Sequence, residues 1–458
     1  MLIKVSVENF KSFNKINSLN MIASTKETKI KNQKVSMNGM NLLKSAVIYG
    51  GNASGKSNLI ETLYFIKTCV LLGLPLGTKQ LYCRNFKENV NKNTSFEVQI
   101  LKNGHIYAYG FSILLKDGNF TSEWAYELTV NGEPKQLFER NINEAPKLGS
   151  NIKLPAKEKE RFNIYANDIS NNNKLLFLSE MNRNKKIDEN SKLSFFNDIF
   201  KWFALDLFIY IPGQKITDFE YYYENNTLDT VNEFIRLFDT GIKEVKIQNI
   251  SMEDFEKKIG PDLLGDIKKN LENINNNSKG NVSKSSLRLG KNIYNFSLDK
   301  SGEISVTTIG LKHENVISEF NFNEESDGTC RLFDLMDIIL RRDNTDKVYI
   351  VDELERSLHP KLTEKFLNVF NKINNKRNTQ LIFSTHEASI MDFNMFRKDE
   401  IWFVERNAHN CSNIFPLDKF IIRSDQKWGK AYLEGRYGGL PVFKELNDSI
   451  EKSKRKGE

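Results

Sequence analysis

The octapeptide Gly50-Gly51-Asn52-Ala53-Ser54-Gly55-Lys56-Ser57 constrains this chain more than any other stretch, because it satisfies the pattern GxxxxGK[ST] in full. Its flanks fit as well. Residues 45–49 form an apolar run of strand type, and over 57 to about 72 Leu59, Ile60, Leu63 and Ile66 recur at helical spacing. A strand therefore feeds a helix through a glycine-rich turn. Such a loop brings backbone N–H groups against phosphate oxygens, and the following helix adds its positive N-terminus. Lys56 supplies a point charge for the β- and γ-phosphates, and the Ser57 hydroxyl is a ligand for Mg²⁺. Asn52 and Gly55 belong to the same cradle.

A second segment, Val348-Tyr349-Ile350-Val351-Asp352-Glu353, reads as an apolar strand ending in two carboxylates. Asp352 can hold Mg²⁺ through water, and Glu353 is placed to orient or deprotonate an attacking water. Alone, the pair reads almost as well as a helix cap favoured by the dipole. Coupled to the phosphate loop, it points to nucleotide chemistry. Glu325-Ser326-Asp327-Gly328-Thr329 precedes an apolar-periodic helix and offers a γ-phosphate a hydroxyl, backbone N–H groups and a helix N-terminus. Its plainer reading is an ordinary helix cap. Gln380-Leu381-Ile382-Phe383-Ser384-Thr385-His386 is a strand of buried type ending in a polar triplet that can set His386 beside the γ-phosphate. A lone histidine there is more often structural, so the order of all four segments carries the argument.

The rest of the chain organises around these motifs. Residues 95–130 alternate apolar and polar and are broken by Asn103-Gly104, Asp117-Gly118 and Asn131-Gly132, the pattern of antiparallel hairpins. From 136 to 320 helices are expected near 191–204 and 229–240, a mobile Asn- and Ser-rich loop at 273–286, and hairpin strands at 292–311. After 321 the sequence predicts a helix over 328–342, strands over 347–351, 379–384 and 400–404, and a helix over 360–374. The expected fold is thus α/β: a mainly parallel sheet flanked by helices, with an antiparallel β-subdomain and an inserted, mainly helical region. Four segments follow: an N-terminal lobe over 1–135, the insertion over 136–320, a C-terminal lobe over 321–425 and a closing segment over 426–458.

Composition sets outer limits. With 458 residues, 39% of them hydrophobic, the chain can bury a large core. No apolar run reaches the 18 or so residues a membrane helix needs, and the opening MLIKVSVENF reads as a strand, so no membrane contact and a cytoplasmic location are expected. Cys69, Cys83, Cys330 and Cys411 are far apart in sequence and form no CxxC pair; reduced thiols are expected. A net charge of +7 permits a nucleic-acid partner without requiring one, and the basic tail Lys452, Lys454, Arg455 and Lys456 reads as a solvated terminus.

Asn9-Phe10-Lys11-Ser12-Phe13, Ser326-Asp327-Gly328-Thr329, Asp352-Glu353-Leu354-Glu355 with Ser357-Leu358-His359-Pro360, and Ser384-Thr385-His386 together resemble the ABC-type ATPases related to SMC, RecF and OLD proteins. The motif order is that family's order, and the resemblance covers both ends of the chain. It implies an ABC-type P-loop ATPase head that binds ATP and Mg²⁺ and hydrolyses ATP, with Glu353 and His386 catalytic. It also implies that Ser326, Asp327 and Gly328 contact ATP held by another subunit, hence a head-to-head homodimer or a larger homo-oligomer. The loop at Ser357 and Leu358 would lie at the seam. The SDGT signature departs from the usual LSGGQ-like form and resembles a bacterial subgroup.

The ending Ala431-Tyr432-Leu433-Glu434-Gly435-Arg436-Tyr437-Gly438-Gly439-Leu440-Pro441, after Asp399-Glu400-Ile401-Trp402-Phe403, resembles ATPase subunits of anti-phage, abortive-infection operons of the RloA and AbiL type. A surface turn is the plainer reading of its glycines. The resemblance implies a co-encoded effector protein, often nuclease-like. A RecF- or SMC-like ATPase that clamps DNA is the alternative. A self-contained OLD-type nuclease is disfavoured, because about 70 residues after His386 are too few for a further nuclease domain.

Overall fold

A computed structural model of the chain describes residues 1–27, 33–129, 132–183, 185–212, 227–259, 264–265, 267, 269, 283–298, 302–341, 346–375, 377–422 and 427–440. Asn131 of the third expected turn, most of the 273–286 loop, Pro441 and the basic tail lie outside these residues. The chain divides into two compact units. One comprises Met1–Pro212, Thr345–Leu354 and Asn374–Glu458; the other comprises Gly213–Asn344 and Glu355–Ile373.

In the first unit, alternation builds a seven-stranded antiparallel sheet from β1 (Leu2–Glu8), β2 (Asn17–Asn20), β6 (Thr94–Lys102), β7 (His105–Leu114), β8 (Asn119–Thr129), β9 (Gly132–Asn141) and β10 (Lys147–Leu148), in the order β10-β9-β8-β7-β6-β1-β2. Along β6, Thr94, Phe96, Val98 and Ile100 turn inward while their neighbours are half-buried. Asn103 and Gly104 take φ of 49° and 80°, the type I′ geometry whose twist matches the strands it joins. Between the sheet's first two strands and its third lie a small hairpin, β3 (Lys34–Met37) with β4 (Met40–Leu43), and then β5 (Ser45–Tyr49).

The second sheet of this unit has the order β11-β17-β18-β5-β19-β20, formed by β11 (Leu207–Tyr210), β17 (Val348–Val351), β18 (Gln380–Ser384), β5, β19 (Ile401–Arg406) and β20 (Ser412–Pro416). Its first five strands run parallel and β20 runs antiparallel. Strands β5, β17 and β18 are buried along their whole length, which is why they read as unbroken apolar runs. Helix α1 (Lys56–Leu72) buries Leu59, Ile60, Leu63 and Ile66 in the core shared with both sheets. Gln380 joins the sheets through a buried amide. Its Oε1 accepts from Leu2 N–H at 2.6 Å, and its Nε2 donates to Leu2 O at 3.0 Å and Leu43 O at 2.9 Å. Helices α2 (Ala156–Ile169), α3 (Phe177–Asn182) and α4 (Ser194–Lys201) complete the core with Phe162, Phe177 and Phe196.

The second unit holds α5 (Thr227–Ile235), β12 (Ile242–Ile250), α6 (Met252–Ile259), β13 (Ser283–Leu289), β14 (Asn292–Leu298), β15 (Ile304–His313), β16 (Glu319–Asn321) and α7 (Asp327–Leu340). It also holds α8 (Pro360–Asn374) up to Ile373. Its sheet runs β12-β15-β14-β13, with β16 paired to β15. Phe255 of α6 packs its ring 4.9 Å from Tyr294 and 5.2 Å from Phe296 of β14, forming this unit's core with Leu298 and Val306. A last helix, α9 (Trp428–Leu433), belongs to the first unit.

Candidate functional site

Parallel strands β5, β18 and β17 lie side by side, so the segments that leave their carboxyl ends converge. From β5 comes the glycine-rich loop. Lys56, buried at the start of α1, donates from Nζ to Gly50 O at 2.8 Å and to Gly51 O at 3.3 Å, and lies 3.1 Å from His386 Nε2. An ammonium can only donate, so in this contact Nε2 takes the acceptor role. Gly55 takes φ of 113° and has no room behind it: a Cβ there would lie 2.2 Å from Ser412 Oγ and 2.7 Å from Ser12 Oγ.

That rear wall is a serine cluster. Ser412 Oγ donates to Ser12 Oγ at 2.7 Å and also contacts Ser54 O, while Asn58 Nδ2 donates to Ser12 Oγ at 2.7 Å. Ser12 is held in turn by the turn that carries it. Asn9 at φ 51° spreads its amide over the carbonyls of Asn89, Lys92 and Asn93, at 3.0, 3.1 and 3.3 Å. Ser57 is half-buried and Asn52 is exposed.

From β17 come Asp352, buried, and Glu353, half-buried and held at φ 51°. Both are tied to the end of β18. Ser384 Oγ donates to Asp352 Oδ1 and accepts from Glu353 N–H at 2.9 Å. One hydroxyl thus fixes the acidic pair relative to the strand that delivers His386. A left-handed non-glycine residue at such a place is strain retained by its surroundings. The donor set of a serine hydroxyl and a carboxylate suits a hard cation such as Mg²⁺.

Ser326, Asp327 and Gly328 stand in the second unit. Ser326 caps α7, its Oγ accepting from Thr329 N–H at 3.0 Å. Asp327 pairs with Lys291 at 2.9 Å; the hydrogen bond from that ammonium holds its carboxyl below the usual carboxylate range. Lys291 also donates to Glu325 O at 2.7 Å, and Glu325 meets His313 Nε2 at 2.6 Å. A Cβ on Gly328 would lie 2.6 Å from Ser357 O, so glycine is what lets the Ser357 turn sit against the start of α7.

The ending segment is more than a surface turn. The Tyr432 ring lies 5.6 Å from Tyr49 and 5.5 Å from Phe403, and its hydroxyl donates to Gly439 O at 3.3 Å. Burial pushes that hydroxyl up to about 12, opposed by a hydrogen bond with the backbone of Gly50. A Cβ at Gly439 would stand 3.7 Å from Cα of Gly50. The segment thus packs on the first residue of the phosphate loop.

The structure brings Gly55, Lys56, Ser57, Asp352, Glu353 and His386 to one end of one sheet. Sequence reading missed Ser412 and Ser384 as supports. Ser384 sits in the polar triplet and Ser12 in the Asn9–Phe13 motif, whereas nothing local to Ser412 signals its role.

A family model described as "AAA domain, putative AbiEii toxin, Type IV TA system" matches residues 45–392. No curated protein matches the chain. Among solved structures, the chain is similar to an SMC head domain from Thermotoga maritima at 15% identity, covering 91% of this chain and 98% of that one with a TM-score of 0.36. It is also similar to an Smc head bound to the C-terminal winged-helix domain of ScpA, at 13% identity, 91% and 97% coverage and a TM-score of 0.39. An Smc head with an extended coiled coil, bound to the C-terminal domain of ScpA derived from Pyrococcus furiosus, gives 13%, 91%, 97% and 0.38.

Proposed function

The chain belongs to the AAA-domain family described as putative AbiEii toxin of a type IV TA system, and from that premise we propose that it is the ATP-binding and ATP-hydrolysing subunit of a bacterial anti-phage, abortive-infection system. The observation that carries the reading is the meeting of Lys56, His386 and the Ser384-bound acidic pair at the carboxyl ends of β5, β18 and β17. In this reading Lys56 and the amides of the Asn52–Ser57 loop hold the phosphates. Ser57 and Asp352 would hold Mg²⁺, which supplies charge neutralisation between the phosphates when bound. Glu353 orients the attacking water and takes its proton, and His386 attends the γ-phosphate.

Ser326, Asp327 and Gly328 then serve the ATP of a second copy, so closure of the homodimer depends on nucleotide. A separate co-encoded effector reads that closure. Nucleotide state controls such a partner only if open and closed forms bind it with different affinity. The 136–320 region and the 426–445 segment are the proposed docking surfaces. The packing of Tyr432 and Gly439 on Gly50 supports the second of these, since it links that segment to the phosphate loop.

The test is a pair of variants. Lys56→Ala is expected to weaken ATP binding severely, whereas Glu353→Gln keeps binding and lowers hydrolysis by about a hundredfold or more. Wild-type turnover by the Gln variant would remove Glu353 from its role. In cells, loss of phage protection on disabling either this gene or its neighbour is expected. Protection that survives deletion of every neighbouring gene would overturn the separate effector, and ATP hydrolysis stimulated by duplex DNA alone would favour the DNA-clamping alternative.

A further inference from the structure

Cys83 and Cys411 are 328 positions apart, yet their Sγ atoms stand 4.0 Å from each other within the first unit. Both are buried free thiols. We propose that they form an oxidation site, closing to a disulfide under hydrogen peroxide and thereby slowing turnover at the phosphate loop; the second half of this proposal rests on the ATPase reading above.

The geometry needs little movement. A disulfide holds its sulfurs about 2.05 Å apart, so the present gap must close by about 2 Å. Neither cysteine lies within a strand or helix. Cys83 is in the loop before the short turn Lys87–Asn91, and Cys411 ends the turn between β19 and β20. That turn is held by Asn407 N–H on Cys411 O at 2.9 Å and Cys411 N–H on Asn407 Oδ1 at 3.0 Å. Each thiol reaches an exposed residue: Cys83 Sγ donates to Asn85 Oδ1 at 3.5 Å, and Cys411 Sγ donates to His409 O at 3.7 Å. Asn85 Nδ2 donates to His409 O at 2.7 Å, and the Phe86 ring stands 5.6 Å from that of His409. Parting this contact admits a small oxidant.

The chemistry balances in two steps. The Cys411 sulfur attacks peroxide, the O–O bond breaks, one oxygen stays as sulfenic acid and the other leaves as water. Cys83 then attacks the Cys411 sulfur, the S–S bond forms, the S–O bond breaks and a second water leaves. Two thiols lose two electrons and two protons, and peroxide accepts both pairs. Burial pushes the Cys83 thiol up to about 11, which keeps it protonated at neutral pH and leaves the first encounter with peroxide to Cys411, beside the surface turn.

The link to the phosphate loop is direct. Cys411 precedes Ser412, whose N–H donates to Ser12 O at 2.8 Å and whose Oγ contacts Ser54 O. Cys83 N–H donates to Asn9 Oδ1 at 3.1 Å, and Lys11 N–H donates to Leu81 O at 2.6 Å. A disulfide here would therefore join both supports of the serine cluster behind Gly55, a glycine whose added Cβ would lie 2.2 Å from Ser412 Oγ.

The experiment treats the purified full chain with hydrogen peroxide and digests it without reductant. Tryptic peptides 80–84 and 407–419 are expected as one joined species, and ATP turnover is expected to fall severalfold and to return with dithiothreitol. Cys83→Ser and Cys411→Ser should each abolish the joined species and the peroxide sensitivity, and two variants guard against one failing to fold. Absence of the joined peptides while the methionines oxidise would overturn the site. Joined peptides with unchanged turnover would overturn its coupling to the loop. If the reduced protein hydrolyses no ATP at all, the ATPase reading fails, and the joined peptides still decide the disulfide.

Discussion

The phosphate loop and the signature turn both end in helix N-termini that carry a glycine, but they are held by opposite means. Helix α1 begins at Gly55 without a side-chain cap, and its loop is fixed from behind by Ser12 and Ser412, which are 400 positions apart in the chain. Helix α7 begins with a cap supplied by Ser326 to Thr329 and with the Lys291–Asp327 pair, in which Asp327 is largely exposed. The loop is therefore a rigid product of distant contacts, and the signature turn is a local structure trimmed by surface charge. In the proposed function the first kind of support suits a loop that grips phosphate, and the second suits a surface that closes against a second copy.

The sharpest way to break this contrast is Gly55→Ala. A methyl group at φ 113°, 2.2 Å from Ser412 Oγ, is expected to cost about 1–3 kcal/mol of stability as an overpacked site, with loss of nucleotide binding; thermal unfolding and binding of a fluorescent ATP analogue read the two effects. A Gly55→Ala protein that binds ATP normally would show the rear wall to be slack.

At the signature turn the expected effects are smaller. Ser326→Ala removes a helix cap worth about 1 kcal/mol. Ser326→Arg is expected to leave ATP binding intact and to abolish ATP-dependent dimerisation in light scattering, because a bulky cation then fills the place of the trans contact. Dimerisation that persists in the Arg variant would count against shared sites.

Smallest of all is Lys291→Ala, for which no resolvable change in unfolding temperature is expected, since exposed pairs contribute little. Its effect is on charge. Lys291 lowers the folded pKa of Asp327, so the pair's contribution is present above the ordinary carboxylate range and is lost as pH falls through the depressed value. In the variant, the Asp327 titration followed by NMR should move up toward the ordinary value. An unmoved titration would mean that the pair does not form in solution.

The same contrast explains what was legible in the sequence. Strands β5, β17 and β18 announce themselves as apolar runs, the hairpins through Asn103-Gly104, and the glycine loop through its spacing. Local rules suffice for each. Strand β11 was not legible: four residues at the sheet edge, with Leu207 buried and the rest half-buried, carry no period. Neither was β20, because the role of Ser412 exists only once the antiparallel pairing with β19 sets it behind the loop. Cys83 and Cys411 failed the same test, since spacing in the chain says nothing about two sulfurs brought together by folding.

The serine cluster also sets a clock on synthesis. A ribosome adds about 5–20 residues per second, so on the order of tens of seconds separate the appearance of Ser57 from that of Ser412. During that interval the nascent chain carries every atom of its phosphate loop without the wall that shapes it. Capture of nucleotide in the finished geometry therefore waits until translation has passed β20, and a messenger cut short by nuclease attack yields fragments whose loop lacks that wall.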